Sequence, residues 1–172
     1  QDLRQAKCDD LEREGILVDP SKHREVEVRL VSPTFIQQKG RAKHKPLHQC
    51  ALDEVRYITC FNTLNDSIHP IPGRSSAYND IMKFAARHKF YIFADLTSSY
   101  FQVKVDKKFW KYMGIMTPYR GIRIMTRLGQ GLLTSDVHLE QVVTRVLGDA
   151  MLRDMCVIAR DDLIVGGETI EE

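Results

Sequence analysis

The stretch Cys156-Val-Ile-Ala-Arg-Asp-Asp-Leu-Ile-Val-Gly-Gly167 decides how the rest of the chain is read. It is a short apolar run, two adjacent carboxylates, a second apolar run and a glycine pair, which together predict a hairpin with acids at its tip. Acids held between buried strands cost free energy unless their charge is compensated, and the usual compensation is a cation. A second apolar run, Phe90-Tyr-Ile-Phe-Ala-Asp95, also ends in an acid. If Asp95 lies beside Asp161 and Asp162, three carboxylates share one spot. Such an oxygen donor set suits Mg²⁺, with Mn²⁺ a possible substitute. Two Mg²⁺ ions about 4 Å apart are a common device for in-line attack on a phosphoryl group.

Working upstream, Leu139, Val142, Val143, Val146 and Leu147 recur at helical spacing and predict a helix over 135–148. Strands are predicted over 112–117 and 121–127, joined by a turn with Pro118 and Gly121. A short helical segment is predicted over 97–102, and a strand over 90–94. With a strand over 155–159, the order is β-α-β-β-α-β, the ferredoxin-like split arrangement of an α+β fold. In that arrangement the first and last strands are expected side by side at the sheet centre, which would bring Asp95 to Asp161. Ahead of it, Ile81, Phe84 and Ala85 mark a further helix that Ser75 or Ser76 could cap.

The first seventy residues are less regular. A helix over 3–14 is expected to close at Gly15, and alternation over 26–31 predicts a strand that continues past Pro33 to Ile36. Residues 37–46 are basic and turn-rich: they form either a solvated loop or a phosphate-binding hairpin completed by the strand 55–61. Residues 62–74, with Asn65, Asp66, Pro70, Pro72 and Gly73, are expected to be loop.

At 172 residues the chain is about one domain long, and 43% apolar residues are enough to bury a core. A net charge of +2 is compatible with a nucleic-acid partner but does not demand one. Cys8, Cys50, Cys60 and Cys156 have no paired spacing, which predicts free thiols and an intracellular setting. His44, His48, Cys50 and Cys60 lack the close pairs of a zinc site. No run is apolar and long enough to span a bilayer, so no membrane partner is expected. The missing initial Met and the ending at Thr169-Ile-Glu-Glu172 suggest a piece of a longer polyprotein.

Six segments in order carry a resemblance. Glu14-Gly-Ile-Leu17 with Ser32-Pro-Thr-Phe-Ile36, Arg56-Tyr-Ile-Thr-Cys-Phe-Asn-Thr-Leu-Asn65, Ala94-Asp-Leu-Thr-Ser-Ser-Tyr-Phe-Gln102, Thr117-Pro-Tyr-Arg-Gly121, Arg127-Leu-Gly-Gln-Gly131 and Asp161-Asp162 are similar to blocks of reverse transcriptases. The likeness is to LTR retrotransposons of the Ty3/gypsy type. It implies an RNA-directed DNA polymerase, with fingers over 1–88 (the palm helix starting at about 75–87), a palm over 89–172 and no thumb. It implies that Asp95 and Asp161, with the main-chain carbonyl of Leu96, hold two Mg²⁺ ions, and that Asp162 is the third catalytic acid. Tyr100 would lie under the incoming sugar and exclude a 2′-hydroxyl. Gln130 and Gly131 would line the nucleotide sugar and template base, and Lys39 and Arg56 would clamp the triphosphate. The implied partners are an RNA or DNA template with primer, deoxynucleoside triphosphates, and thumb, ribonuclease H and integrase segments of the polyprotein. The implied setting is a cytoplasmic virus-like particle or the nucleus.

The chain departs from this pattern at three places. Ala159 and Arg160 fill the slots before the acid pair, so Arg160 is either a substitution or an insertion that forces a bulge. Asp136 stands where a proline is often found, and the segment between Lys39 and Arg56 is long. Two other readings therefore stay open: a catalytically damaged nucleic-acid-binding relic, and another palm-type nucleotidyl transferase or cyclase.

Overall fold

The computed structural model describes residues 2–72, 78–159 and 162–169, Ala159 by its backbone. In chain order its elements are α1 (Leu3–Arg13), β1 (Leu17–Val18), β2 (Val31–Ser32), β3 (Thr34–Gln38), β4 (Val55–Thr59), α2 (Asn62–Asn65), α3 (Tyr78–Arg87), β5 (Phe90–Asp95), α4 (Ser99–Gln102), β6 (Gly114–Met116), β7 (Ile122–Met125), α5 (Ser135–Leu152), β8 (Cys156–Ala159) and β9 (Asp162–Gly167). The chain is mixed helix and sheet, as expected. It forms two compact units, Gln1–His69 with Lys104–Leu132, and Pro70–Val103 with Leu133–Glu172. These units do not divide at residue 88. The reason is strand pairing: β6 and β7 hydrogen-bond to β2 and β1, which ties residues 104–132 to the N-terminal part of the chain.

In the first unit, α1 starts at Asp2, whose carboxylate accepts the Arg4 N–H at 2.9 Å, a side-chain cap for an otherwise unpaired donor. The helix buries Cys8 and Leu11. A four-stranded sheet runs in the order β1-β7-β6-β2, parallel only between β2 and β6. Its inner residues Leu17, Ile115, Ile124 and Met125 are fully buried. The strand expected over 26–31 shortens to Val31–Ser32. Beyond that point the neighbouring segment, Lys107–Tyr112, is a 3₁₀ helix, and only the Lys111 carbonyl is left to accept the Arg29 and Leu30 N–H groups. The β3–β4 hairpin pairs Thr34 with Thr59 through to Gln38 with Val55. Its long connection folds over a small core of Ala42, Cys50 and Val55, with Leu3 packed against it. Asn62–Asn65, expected as loop, forms one helical turn because Leu64 is buried.

The second unit is a three-stranded antiparallel sheet, β5-β9-β8. This corrects the expected topology. The first strand pairs with β9, residue for residue from Phe90–Gly167 to Asp95–Asp162, and not with the strand before the acid pair. Strands joined by only two residues must be antiparallel neighbours. The Leu163-Ile-Val run then becomes the central strand. The opposed pair Val157 and Ile164 packs with Phe84 and Ile81 of α3. The opposed pair Ile158 and Leu163 belongs to a cluster with Leu139 and Val143 of α5. Both faces of β8 and β9 are covered, which is why these strands read as continuous apolar runs. β5 is one of the two outer strands, with β8 the other, and its Ile92 and Phe93 are 68% and 73% exposed. α5 runs past its expected end to Leu152, and Asp154 then turns the chain at φ 59°.

Candidate active site

Asp95 is the last residue of β5 and Asp162 the first of β9, and the two are direct partners in the ladder. Directly opposed residues of an antiparallel pair lie about 4.5–5.5 Å apart at Cα and share a face. Both side chains are exposed, and neither has an ion-pair partner among the described residues. Two like charges so placed repel unless a cation joins them, and their hard oxygen donors fit Mg²⁺. The third expected acid, Asp161, and its neighbour Arg160 lie outside the described residues. Among the described residues no three His, Cys, Asp or Glu side chains gather at metal-binding distance. The β8–β9 ladder keeps its register from Cys156–Val165 to Ala159–Asp162 without a bulge.

After Asp95 the chain turns at once. The Leu96 carbonyl, expected to face a metal, accepts the Ser99 N–H at 3.0 Å, and the Leu96 side chain packs into the α5 cluster. Ser98 takes φ 51°, which starts the short helix α4. Tyr100 stands on that helix, its ring half-buried among Leu139, Val143 and Ile158. Its hydroxyl donates to Asp136 Oδ1 at 2.7 Å.

The remaining expected residues belong to the first unit. Arg56 is exposed on β4 opposite Gln37. Lys39 follows β3, and its main-chain N–H continues the ladder to the Glu54 carbonyl at 2.8 Å. Alternation therefore sets Lys39 and Arg56 on one face of the hairpin, a diagonal step apart. Two other cations of this basic segment are already paired: Arg41 with Asp53 and Lys45 with Glu54, each at 2.6 Å. The Lys45 hydrogen bond is the chief cause holding the Glu54 carboxyl below its ordinary range.

Gln130 and Gly131 are exposed in a turn, Gly131 at φ +86°. Two contacts fix that turn. Gly129 lies so close to the buried Phe61 ring that a Cβ would come within 2.5 Å of it. Asn65 donates its amide to the Gly131 carbonyl at 2.8 Å. Sequence reasoning assigned no role to Asn65 or Phe61. Their only signal was membership of the Arg56–Asn65 segment.

No family model and no curated protein matches this chain. Solved structures do match. Two are of prototype foamy virus protease–reverse transcriptase, at TM-scores of 0.74 and 0.71 and 16% and 17% identity. They cover 98% and 96% of this chain, and 20% and 19% of theirs. A third is the foamy viral protein in complex with double-stranded DNA, at a TM-score of 0.70 and 17% identity, covering 98% of this chain and 25% of that one. The chain thus spans a fifth to a quarter of the structures it matches. At these identities the likeness reports fold and nothing finer, and that fold is reverse transcriptase-like.

Proposed function

We propose that the chain is the fingers and palm part of a retroelement reverse transcriptase of Ty3/gypsy type, joining deoxynucleotides to a primer on an RNA or DNA template. The carrying observation is the direct pairing of Asp95 with Asp162, two acids with no ion-pair partner among the described residues, at the ends of β5 and β9 in a reverse transcriptase-like fold. Phosphoryl transfer asks little covalent chemistry of a protein; it asks for positioning and charge neutralisation. Asp95 and Asp162, with Asp161 next to the latter in the chain, would hold magnesium. When bound, the metal would neutralise charge on the triphosphate and orient the attacking hydroxyl.

The chain's other residues bind and select. Lys39 and Arg56, on one face of the β3–β4 hairpin, supply positive charge for the triphosphate. Gly131 leaves its turn free of a side chain, so a base or sugar can approach the backbone closely. The half-buried Tyr100 ring forms a wall against a 2′-hydroxyl, and discrimination then follows as a difference of two affinities. The foamy viral relative bound to double-stranded DNA supports a nucleic-acid partner.

Primer extension with magnesium on RNA and DNA templates tests this reading. Asp95→Asn is expected to lower incorporation at least about 100-fold while changing nucleotide affinity far less, because the lost charge acts mainly on the transition state. Asp95→Asn extending as wild type, or synthesis that ignores the template, would overturn it.

A further inference from the structure

The Tyr100 hydroxyl is not left to solvent. It donates to Asp136 Oδ1 at 2.7 Å, across from α4 to the first turn of α5. The ring is therefore held at two places: its body by Leu139, Val143 and Ile158, and its tip by a carboxylate. Apolar packing alone is non-directional and leaves a ring some freedom to rock. A hydrogen bond to a charged acceptor is directional and about twice as strong as a neutral one. Asp136 is itself well placed for this. It sits in the first turn of an 18-residue helix, where the dipole favours negative charge.

We propose that Asp136 is a positioning residue for sugar selection: its carboxylate fixes the Tyr100 ring and so sets how strongly the site rejects a ribonucleotide. This rests on Tyr100 being the sugar wall, as argued above. Asp136 acts through Tyr100 and makes no contact of its own with the nucleotide.

The competing explanation is that Asp136 merely favours the start of α5. The two separate by readout. Dissociation constants for dCTP and CTP with magnesium, which differ only at the 2′ position, are measured calorimetrically on the whole chain and combined with single-nucleotide incorporation on a primer–template. Asp136→Ala is expected to lower the dCTP-over-CTP preference about three- to tenfold, the size of one lost hydrogen bond. Tyr100→Phe, which keeps the ring and removes the donor, is expected to lower it by the same factor. The double variant should lower it no further, since both changes break one interaction. Asp136→Asn keeps an acceptor oxygen and should retain most of the preference.

Asp136→Ala that lowers the melting temperature but leaves the preference unchanged overturns the proposal. So does a double variant whose loss is the product of the two single losses. Failure of the underlying reading looks different. Tyr100→Ala would then leave the preference untouched, or the wild-type chain would bind neither nucleotide, and the role of Asp136 would fall with it.

Discussion

At Gly129 a single hydrogen is all that fits between the main chain and the Phe61 ring, since a Cβ would stand 2.5 Å from Cε2 and 2.8 Å from Cζ. Phe61 is buried and cannot yield without opening the core around it. Gly129→Ala is expected to destabilise the protein by about 1–3 kcal/mol, the usual cost of overpacking, read as a lower urea midpoint. The sequence shows a glycine beside Gln130-Gly131 but not the ring opposite it, because Phe61 is 68 residues away in the chain. Asn65 is similar. Its amide reaches the Gly131 carbonyl across 66 positions, and no local pattern encodes that pairing. Tyr100 and Asp136 were each visible, one as a motif residue and one as a departure, but their hydrogen bond was not.

Among elements, α3 and the turn between α5 and β8 are joined by one acid. Asp154 accepts two hydrogen bonds from Arg87 at 2.5 Å, and His88 Nε2 lies 3.7 Å away. The Arg87 hydrogen bond is the chief cause holding the Asp154 carboxyl below its ordinary value, against a smaller opposing effect of burial. A carboxylate depressed on folding stabilises the fold above its unfolded pKa, about 3.9, and loses that contribution as pH falls through the folded value. Asp154→Asn keeps a side chain that tolerates positive φ. It is expected to lower the melting temperature by at most a few degrees at pH 7, as for other exposed pairs. The difference from wild type should shrink as the pH falls below about 4 and vanish once the wild-type acid is protonated. A gap that persists at low pH would assign the effect to the turn itself.

Element types came through clearly where periodicity was strong. The helical spacing of Leu139, Val143 and Leu147 in α5 and the apolar run of β8 were legible because both are packed, the run on two faces, whereas Val142 and Val146 of the same expected stripe are exposed. Strand partners were not. Leu163–Val165 reads as well for an outer strand as for a central one, and only the six-residue ladder with β5 decides the matter.

For the whole molecule, the chain enters each of the two compact units twice. The order of motifs suggests a division near residue 88, but β1 and β2 find their partners in β7 and β6, beyond residue 104. The acid pair was legible in the sequence, because strand ends carrying acids limit where those acids can go. The charge of the basic segment was less so: Arg41 and Lys45 sit in the same basic run as Lys39, yet are taken up by Asp53 and Glu54.

The outer position of β5 has a consequence for handling the protein. Its six residues, Phe90-Tyr-Ile-Phe-Ala-Asp95, contain no proline and no lysine, and Ile92 and Phe93 lie open on successive positions of the strand. Natural sheets usually blunt such a border with charge, proline or a covering segment, because an unpaired row of amides is a template for another copy. At high concentration the isolated chain should therefore self-associate by strand addition and scatter light on standing. Phe93→Lys, which places a charge on that border without touching either acid, should keep the solution clear at concentrations where wild type clouds. Equal turbidity in the two would show that the border is shielded in solution.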